Sequence, residues 1–275
     1  MNTLSEIEKW LKEHAINNYL ISEDFYITVQ GNVNLNKKLS VKKLPVKFKT
    51  VDGFFDISNN GLTSLDGCPK TVTGDFNCSR NSLISLFEGP TEVNDFDCSY
   101  NQLKNLSYAP KEVKGNFDCS NNLIDSVKGM PRTVKGYFNC STNKIATLKG
   151  GPKYVDATFD CSQNLIDRLT GGPVSVGQDY LCFKNNLTDL DGVADEIGFD
   201  LVSDIRLNHL SSTFNEEEKT WRYKGSEVIS HIYKPIVALT NVDDISRWLR
   251  KHEIKNFTIL RDNSVNVHGD VRLAD

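Results

Sequence analysis

Six cysteines recur along this chain at almost constant spacing. Cys78, Cys98, Cys119, Cys140, Cys161 and Cys182 are separated by 20, 21, 21, 21 and 21 residues. A period of this length marks a stack of similar supersecondary units, none of which buries its apolar face alone. Other columns keep the same phase. An aromatic stands two residues before each cysteine (Phe76, Phe96, Phe117, Phe138, Phe159, Tyr180), and an asparagine three residues after it (Asn81, Asn101, Asn122, Asn143, Asn164, Asn185). Leu or Ile follows at five, Leu or Val at eight, Pro at twelve and Val or Ile at fifteen, with Ala194 in the last proline slot. An earlier unit with Phe55, Ile57, Asn60, Leu62, Leu65, Pro69 and Val72 fits every column, which makes seven units over residues 54–200.

Each column has a physical reading. Phe-x-Cys is a short strand whose alternate residues face inward. Stacked copies form a parallel sheet along one side. The asparagine amide both donates and accepts, so its column can satisfy backbone groups of the turns. Proline fixes φ on the return limb, where no ladder donor is needed. The cysteines read as small buried apolar residues. They lack C-x-x-C spacing and histidines at ligand distance, and neighbouring strands hold parallel thiols too far apart for a disulfide. Cys68 falls outside the ladder, on a turn, and is expected to be the accessible thiol.

The pattern F-x-C-S-x-N-x-L-x-x-L-x-x-x-P-x-x-V resembles a leucine-rich repeat with Phe and Cys in two leucine slots. The Phe-Asp-Cys-Ser-x-Asn form looks like the leucine-rich repeat proteins encoded by tailed bacteriophages. The short period and the return-limb proline also resemble the bacterial effector class. The resemblance implies an α/β repeat solenoid, with a curved, leucine-rich-repeat-like parallel sheet. It also implies a virus-encoded protein acting in the cytoplasm of an infected bacterial host cell.

The ends of the chain copy one another. Ile7, Trp10, Leu11 and His14 match Ile245, Trp248, Leu249 and His252, and the correspondence continues to Leu35 and Leu273 at a constant offset of 238. The unit reads as a helix followed by strands. We therefore expect an N-terminal helix/strand cap over 1–53, the repeats over 54–200, a helical insert over 201–240 closing the solenoid, and a duplicated cap-like module over 241–275. Within the insert, Thr213 to Glu216 reads as a capping box that starts a helix, and Val228, Ile229, Ile232 and Tyr233 as a later apolar stripe.

Net charge is −4, but it is unevenly placed: residues 54–200 carry 19 acids and 13 bases. No nucleic-acid partner and no membrane association are expected. The five histidines are scattered and none falls in the repeats. No phosphate-binding glycine loop or nucleophile motif occurs, so the chain reads as a non-enzyme without cofactor or metal. Strand-face aspartates lack the tight loop of calcium sites.

Solenoids bind partners on extended concave surfaces. The outward strand positions here are acidic and dotted with aromatics, which points to a protein partner, a host bacterial protein by the phage resemblance. The candidate contact residues are Asp75, Arg80, Asp95, Asp97, Tyr100, Asp118, Tyr137, Asp160, Asp179, Leu181 and Phe183. The plain alternative is that Asp, Asn and Ser merely keep a sheet face wet, with the insert covering Leu181 and Phe183. Two further functional readings stand beside this one. One is assembly as a homo-oligomer through 241–275. The other is sequestering of a small ligand such as a nucleotide.

Overall fold

The computed structural model describes residues 3–208, 210–232, 246, 249, 257–259 and 265–267. The chain divides into two compact units, 1–229 and 230–275. The first is a parallel β-solenoid. Phe-x-Cys strands stack in one sheet from Val33–Asn34 through Phe55–Asp56, Phe117–Asp118 and Tyr180–Leu181 to Asp200–Ser203. The register places Phe above Phe at each step, as in Phe96, Phe117 and Phe138. The stack reaches one rung beyond the repeats at either end. Val33 and Leu201 continue the aromatic column, while Leu35 and Ser203 continue the cysteine column.

The class is mostly sheet rather than α/β. The expected return limb without ladder donors is itself a parallel ladder. Two-residue strands such as Thr71–Val72, Glu92–Val93 and Glu112–Val113 pair in register, and Thr133–Val134 begins a second run that ends at Glu196–Ile197. The physical reason is length. A 21-residue turn that spends residues on the Phe-x-Cys strand, the asparagine corner and the proline corner has none left for a helix. Proline sits just before this ladder, so its missing N–H costs nothing, and the next residue resumes the bonding, as Lys70 does to the Lys49 carbonyl.

The interior is built from aligned columns. Phe55 through Phe159 and Tyr180 are all buried, with successive ring centroids 5.0 to 5.8 Å apart. Each buried ring contributes roughly 1.5–3 kcal/mol of transfer free energy. All seven cysteines are free and buried. Burial pushes their thiols well above the ordinary range, so they act as apolar filler. Cys68 belongs with them. It is 4 % exposed, contrary to its expected accessibility. Its column also holds Ala109, Met130 and Val193, all buried at the corner before the return limb.

The asparagine column performs the expected task. Asn122 donates to the Cys98 and Cys119 carbonyls at 3.1 Å, and its Oδ1 accepts the Leu103 amide at 3.0 Å. Asn143 and Asn164 repeat this set one rung on.

Before the solenoid, the helix Leu4–Glu13 starts at a capping box of Thr3 and Glu6. It buries Ile7, Trp10 and Leu11, and the Trp10 ring lies 6.5 Å from Phe48. After the solenoid, the region expected to be helical from Thr213 is a hairpin. Ser212–Asn215 pairs antiparallel with Thr220–Lys224, which pairs antiparallel with Asp200–Ser203. Phe214 and Trp221 alternate with polar residues and meet at a tilt with ring centroids 4.5 Å apart, so a period of two overrides the capping-box signal. Asn215 instead caps the turn by accepting the Glu217 and Glu218 amides. The later helix, Gly225–Ile232, contains the expected stripe residues Val228 and Ile229, with Val228 fully buried. Tyr233 lies outside the described residues.

In the second unit, Phe257–Ile259 pairs antiparallel with Val265–Val267, with Phe257 opposite Val267. In the first unit Tyr19 stands opposite Val29 in the same arrangement. Ser246 and Leu249 are helical, with Leu249 buried, and the remainder of the expected 241–275 module, including Trp248 and Leu273, lies outside the described residues.

Candidate functional site

The outward side of the Phe-x-Cys sheet carries three polar columns, and each begins as a device of the fold. Except in the last repeat, where Leu181 stands, the position between the aromatic and the cysteine holds Asp or Asn. Its Oδ1 accepts the amide of the serine two residues on, at 2.9 Å in Asp97–Ser99, Asp118–Ser120 and Asp160–Ser162. That takes the serine amide out of the ladder, and the neighbouring cysteine carbonyl goes to the asparagine column instead. Asn77 and Asn139 make the same contact to Ser79 and Ser141, so an amide serves this turn as well as a carboxylate.

The position before the aromatic holds a second Asx ladder that the sequence reading did not anticipate. Asp75 accepts the Asp95 amide at 3.2 Å, Asp95 accepts the Asn116 amide at 2.8 Å, Asn116 accepts the Tyr137 amide at 3.0 Å, and Asp179 accepts the Asp200 amide at 3.0 Å. Each side chain thereby pairs a backbone donor left over at the start of the next strand. The signal was present in the sequence, because Asn32 and Asn116 share the column with Asp75 and Asp95.

The third column, two residues after the cysteine, is left-handed. Arg80 has φ 54° and Tyr100 φ 53°, next to Asn59 and Asn121 at similar values. Both Arg80 and Tyr100 are exposed, and the Arg80 guanidinium lies 4.0 Å from the centre of the Tyr100 ring.

These columns bring some expected residues together and separate others. Asp118, Tyr137, Asp160 and Leu181 line one groove of about 620 Å³, with Asn116, Asn139, Thr158 and Gln178 completing its polar wall. Asp75 and Asp95 are held in the amide ladder on earlier rungs. Asp179 faces Arg222, and Phe183 lies half-buried with the Lys184 ammonium 5.7 Å from its ring. Asn116, Asn139 and Thr158 stand in columns already read as outward. Gln178 does not, and Arg222 had no sequence signal because its hairpin was not foreseen.

The groove is electrostatically uncompensated. Burial first, and then neighbouring carboxylates, raise Asp118 and Asp160 above the ordinary carboxylate range; Asp97 acts on Asp118, while Asp118 and Glu218 act on Asp160. Hydrogen bonds from serine only partly offset this. The Asn139 amide donates to Asp118 Oδ2 at 3.1 Å and separates the two acids along the row. Tyr137 is raised to about 12, chiefly by burial and then by Asp118, Asp97 and Asp95.

At the end of the stack the situation reverses. Arg222 Nη1 lies 3.7 Å from Asp179 and 3.1 Å from Asp200, and Lys224 is 3.2 Å from Asp200. Bonds from Arg222 and Lys224 outweigh the opposing effect of burial and lower Asp200.

Among the described residues no group of three or more His, Cys, Asp and Glu side chains could hold a metal ion. None of the described helices is long and apolar enough to cross a membrane. Comparison with family models, with curated proteins and with solved structures yields no match to this chain.

Proposed function

We propose that this chain is a non-enzymatic binding module that docks a protein partner on the outward face of its Phe-x-Cys sheet. One observation carries the reading. Asp118 and Asp160 occupy turns that Asn77 and Asn139 build equally well, yet they keep desolvated charges in a groove with no neutralising base. Charge held where an amide would fold as well points to recognition rather than solubility. Tyr137, Leu181 and the polar wall supply the mix of apolar and hydrogen-bonding groups that binding grooves use. The lead helix and the terminal hairpin serve in this reading as caps for the two ends of the stack.

The resemblance to leucine-rich repeat proteins of tailed bacteriophages supports a host bacterial protein as the partner, met in the cytoplasm of the infected cell. Affinity capture from bacterial lysate, with the wild-type chain beside an Asp118→Asn/Asp160→Asn/Tyr137→Ala variant, tests the proposal. A protein retained by the wild type and lost by the variant supports it. Equal recovery by both overturns it.

A second reading is assembly through 241–275. It draws on the hairpin of the second unit, which repeats the register of the first unit's opening hairpin. Light scattering on chains with and without 241–275 separates the two: a discrete oligomer lost on deletion supports assembly, and a monomer in both forms rejects it.

A further inference from the structure

We propose that the groove takes an arginine side chain from an extended polypeptide, with the guanidinium seated over Asn139, between Asp118 and Asp160, against Tyr137. The inference rests on the docking reading above and names the chemistry of the occupant.

The argument begins with donors and acceptors. Ionised carboxylates only accept hydrogen bonds. Asp118 has both oxygens engaged by uncharged donors, Ser120 and Asn139. Asp160 is likewise engaged only by an uncharged residue, Ser162, through its backbone amide and its side chain. No Lys or Arg lines the groove. A neutral sugar or amide would leave the charges uncompensated, whereas a cationic donor removes the repulsion.

Geometry favours arginine over lysine. Asp118, Asn139 and Asp160 follow one another on successive rungs. Rungs of a parallel sheet lie about 4.8 Å apart, so a cation above Asn139 has a carboxylate one rung away on either side. A planar guanidinium points N–H groups both ways at once, while an ammonium is a point charge. Tyr137 offers the ring face on which a guanidinium stacks.

The molecule already uses both contacts on itself. The row through Asp118 and Asp160 continues to Leu181 and Val202, and Val202 stands opposite Arg222. There Arg222 bridges two carboxylates on adjacent rungs, Asp179 and Asp200. Arg80 stacks on Tyr100 at the neighbouring turn. The middle rungs present a related pair of carboxylates, Asp118 and Asp160, in the next column and two rungs apart, with no arginine lining the groove.

The test uses the full chain at physiological ionic strength and three nine-residue peptides in which serine alternates with arginine, lysine or glutamine. Calorimetry is expected to show the arginine peptide binding at least about tenfold tighter than the lysine peptide. Asp118→Asn/Asp160→Asn is expected to weaken it by about tenfold or more. This variant keeps its turns, because Asn77 and Asn139 already build them. Tyr137→Leu is expected to abolish the preference for arginine over lysine. Glu196→Gln, on the return-limb ladder, is expected to change nothing.

Equal binding of the arginine and lysine peptides, or equal loss in Glu196→Gln, overturns the assignment. Binding of the glutamine peptide that the double variant loses also overturns it but leaves the docking reading standing. No peptide binding, together with a lysate partner held equally by wild type and double variant, overturns both.

Discussion

The middle and the end of the same sheet face solve one electrostatic problem in opposite ways. At the end, Asp179 and Asp200 stand one rung apart and are tied together by Arg222 and Lys224 from the terminal hairpin. In the middle, Asp97, Asn139 and Asp160 surround Asp118 on the same scaffold, and the groove contains no base. Asp200 is accordingly held below the ordinary carboxylate range, while Asp118 and Asp160 are held above it. A stack of near-identical turns thus finishes its own charge balance where the fold ends and leaves it open in the middle.

The largest expected effect breaks the scaffold that both regions share. Cys119 is fully buried between the aromatic and leucine columns. Cys119→Asp places an unpaired charge there and should cost more than about 3 kcal/mol, enough to abolish a cooperative melt. Cys119→Val should melt within a few degrees of wild type, and circular dichroism distinguishes the two. Loss of the asparagine column comes next. Asn122→Leu strands the Leu103 amide and removes a donor from the Cys98, Cys119 and Ser120 carbonyls, at a cost of about 2–4 kcal/mol in denaturant titration.

Removing the end's solution makes it resemble the middle. Arg222→Ala leaves Asp179 and half of Asp200's pairing uncompensated and should lower stability by about 1 kcal/mol, the pair being partly exposed and screened. Its pH dependence has a definite sign. Asp200 is lowered in the folded chain, so its contribution is present above the ordinary carboxylate range and is lost as pH falls through its folded value. Arg222→Ala should therefore narrow its stability gap to wild type on acidification.

Asp118 and Asp160 carry the opposite sign. Their folded values are raised, so their relative stabilisation is full below the ordinary range and is lost as pH rises through the folded values. Replacing either by Asn should raise the melting temperature near neutrality by about 2 °C, and the gain should vanish in acid. A variant that is destabilised at neutral pH would remove the contrast between middle and end.

The smallest effect lies away from both regions. Five glycines take positive φ ten residues after the cysteine position, from Gly67 to Gly192, but Glu88 and Tyr108 occupy that column with φ 69°. Glu88→Gly relieves the left-handed strain and loses only an exposed pair with Lys70, so it should gain about 0.5 kcal/mol without affecting peptide binding.

Much of this architecture was legible in the residue pattern. The period fixed the stacking, the Phe-x-Cys column fixed which residues face inward, and the asparagine column announced its bonds, because each of these acts within one turn and repeats identically. The same local logic failed for Cys68, whose turn position suggested exposure while the corner column buries it. It failed again from Thr213, where a capping box was read in a strand whose alternation is satisfied only by pairing with Thr220–Lys224.

What the sequence determined alone is the repeat: spacing dictates that unlike positions in a turn become like positions in a column, and burial follows from the side chains in each column. What only the tertiary structure decided is which charges remain unpaired. Aspartates of one column look alike in the sequence, but neutralisation depends on groups brought from distant segments. Arg222 comes to Asp179 and Asp200 through a hairpin that pairs with the last rung. Coulomb attraction follows distance in space, and the repeat encodes distance only between its own turns.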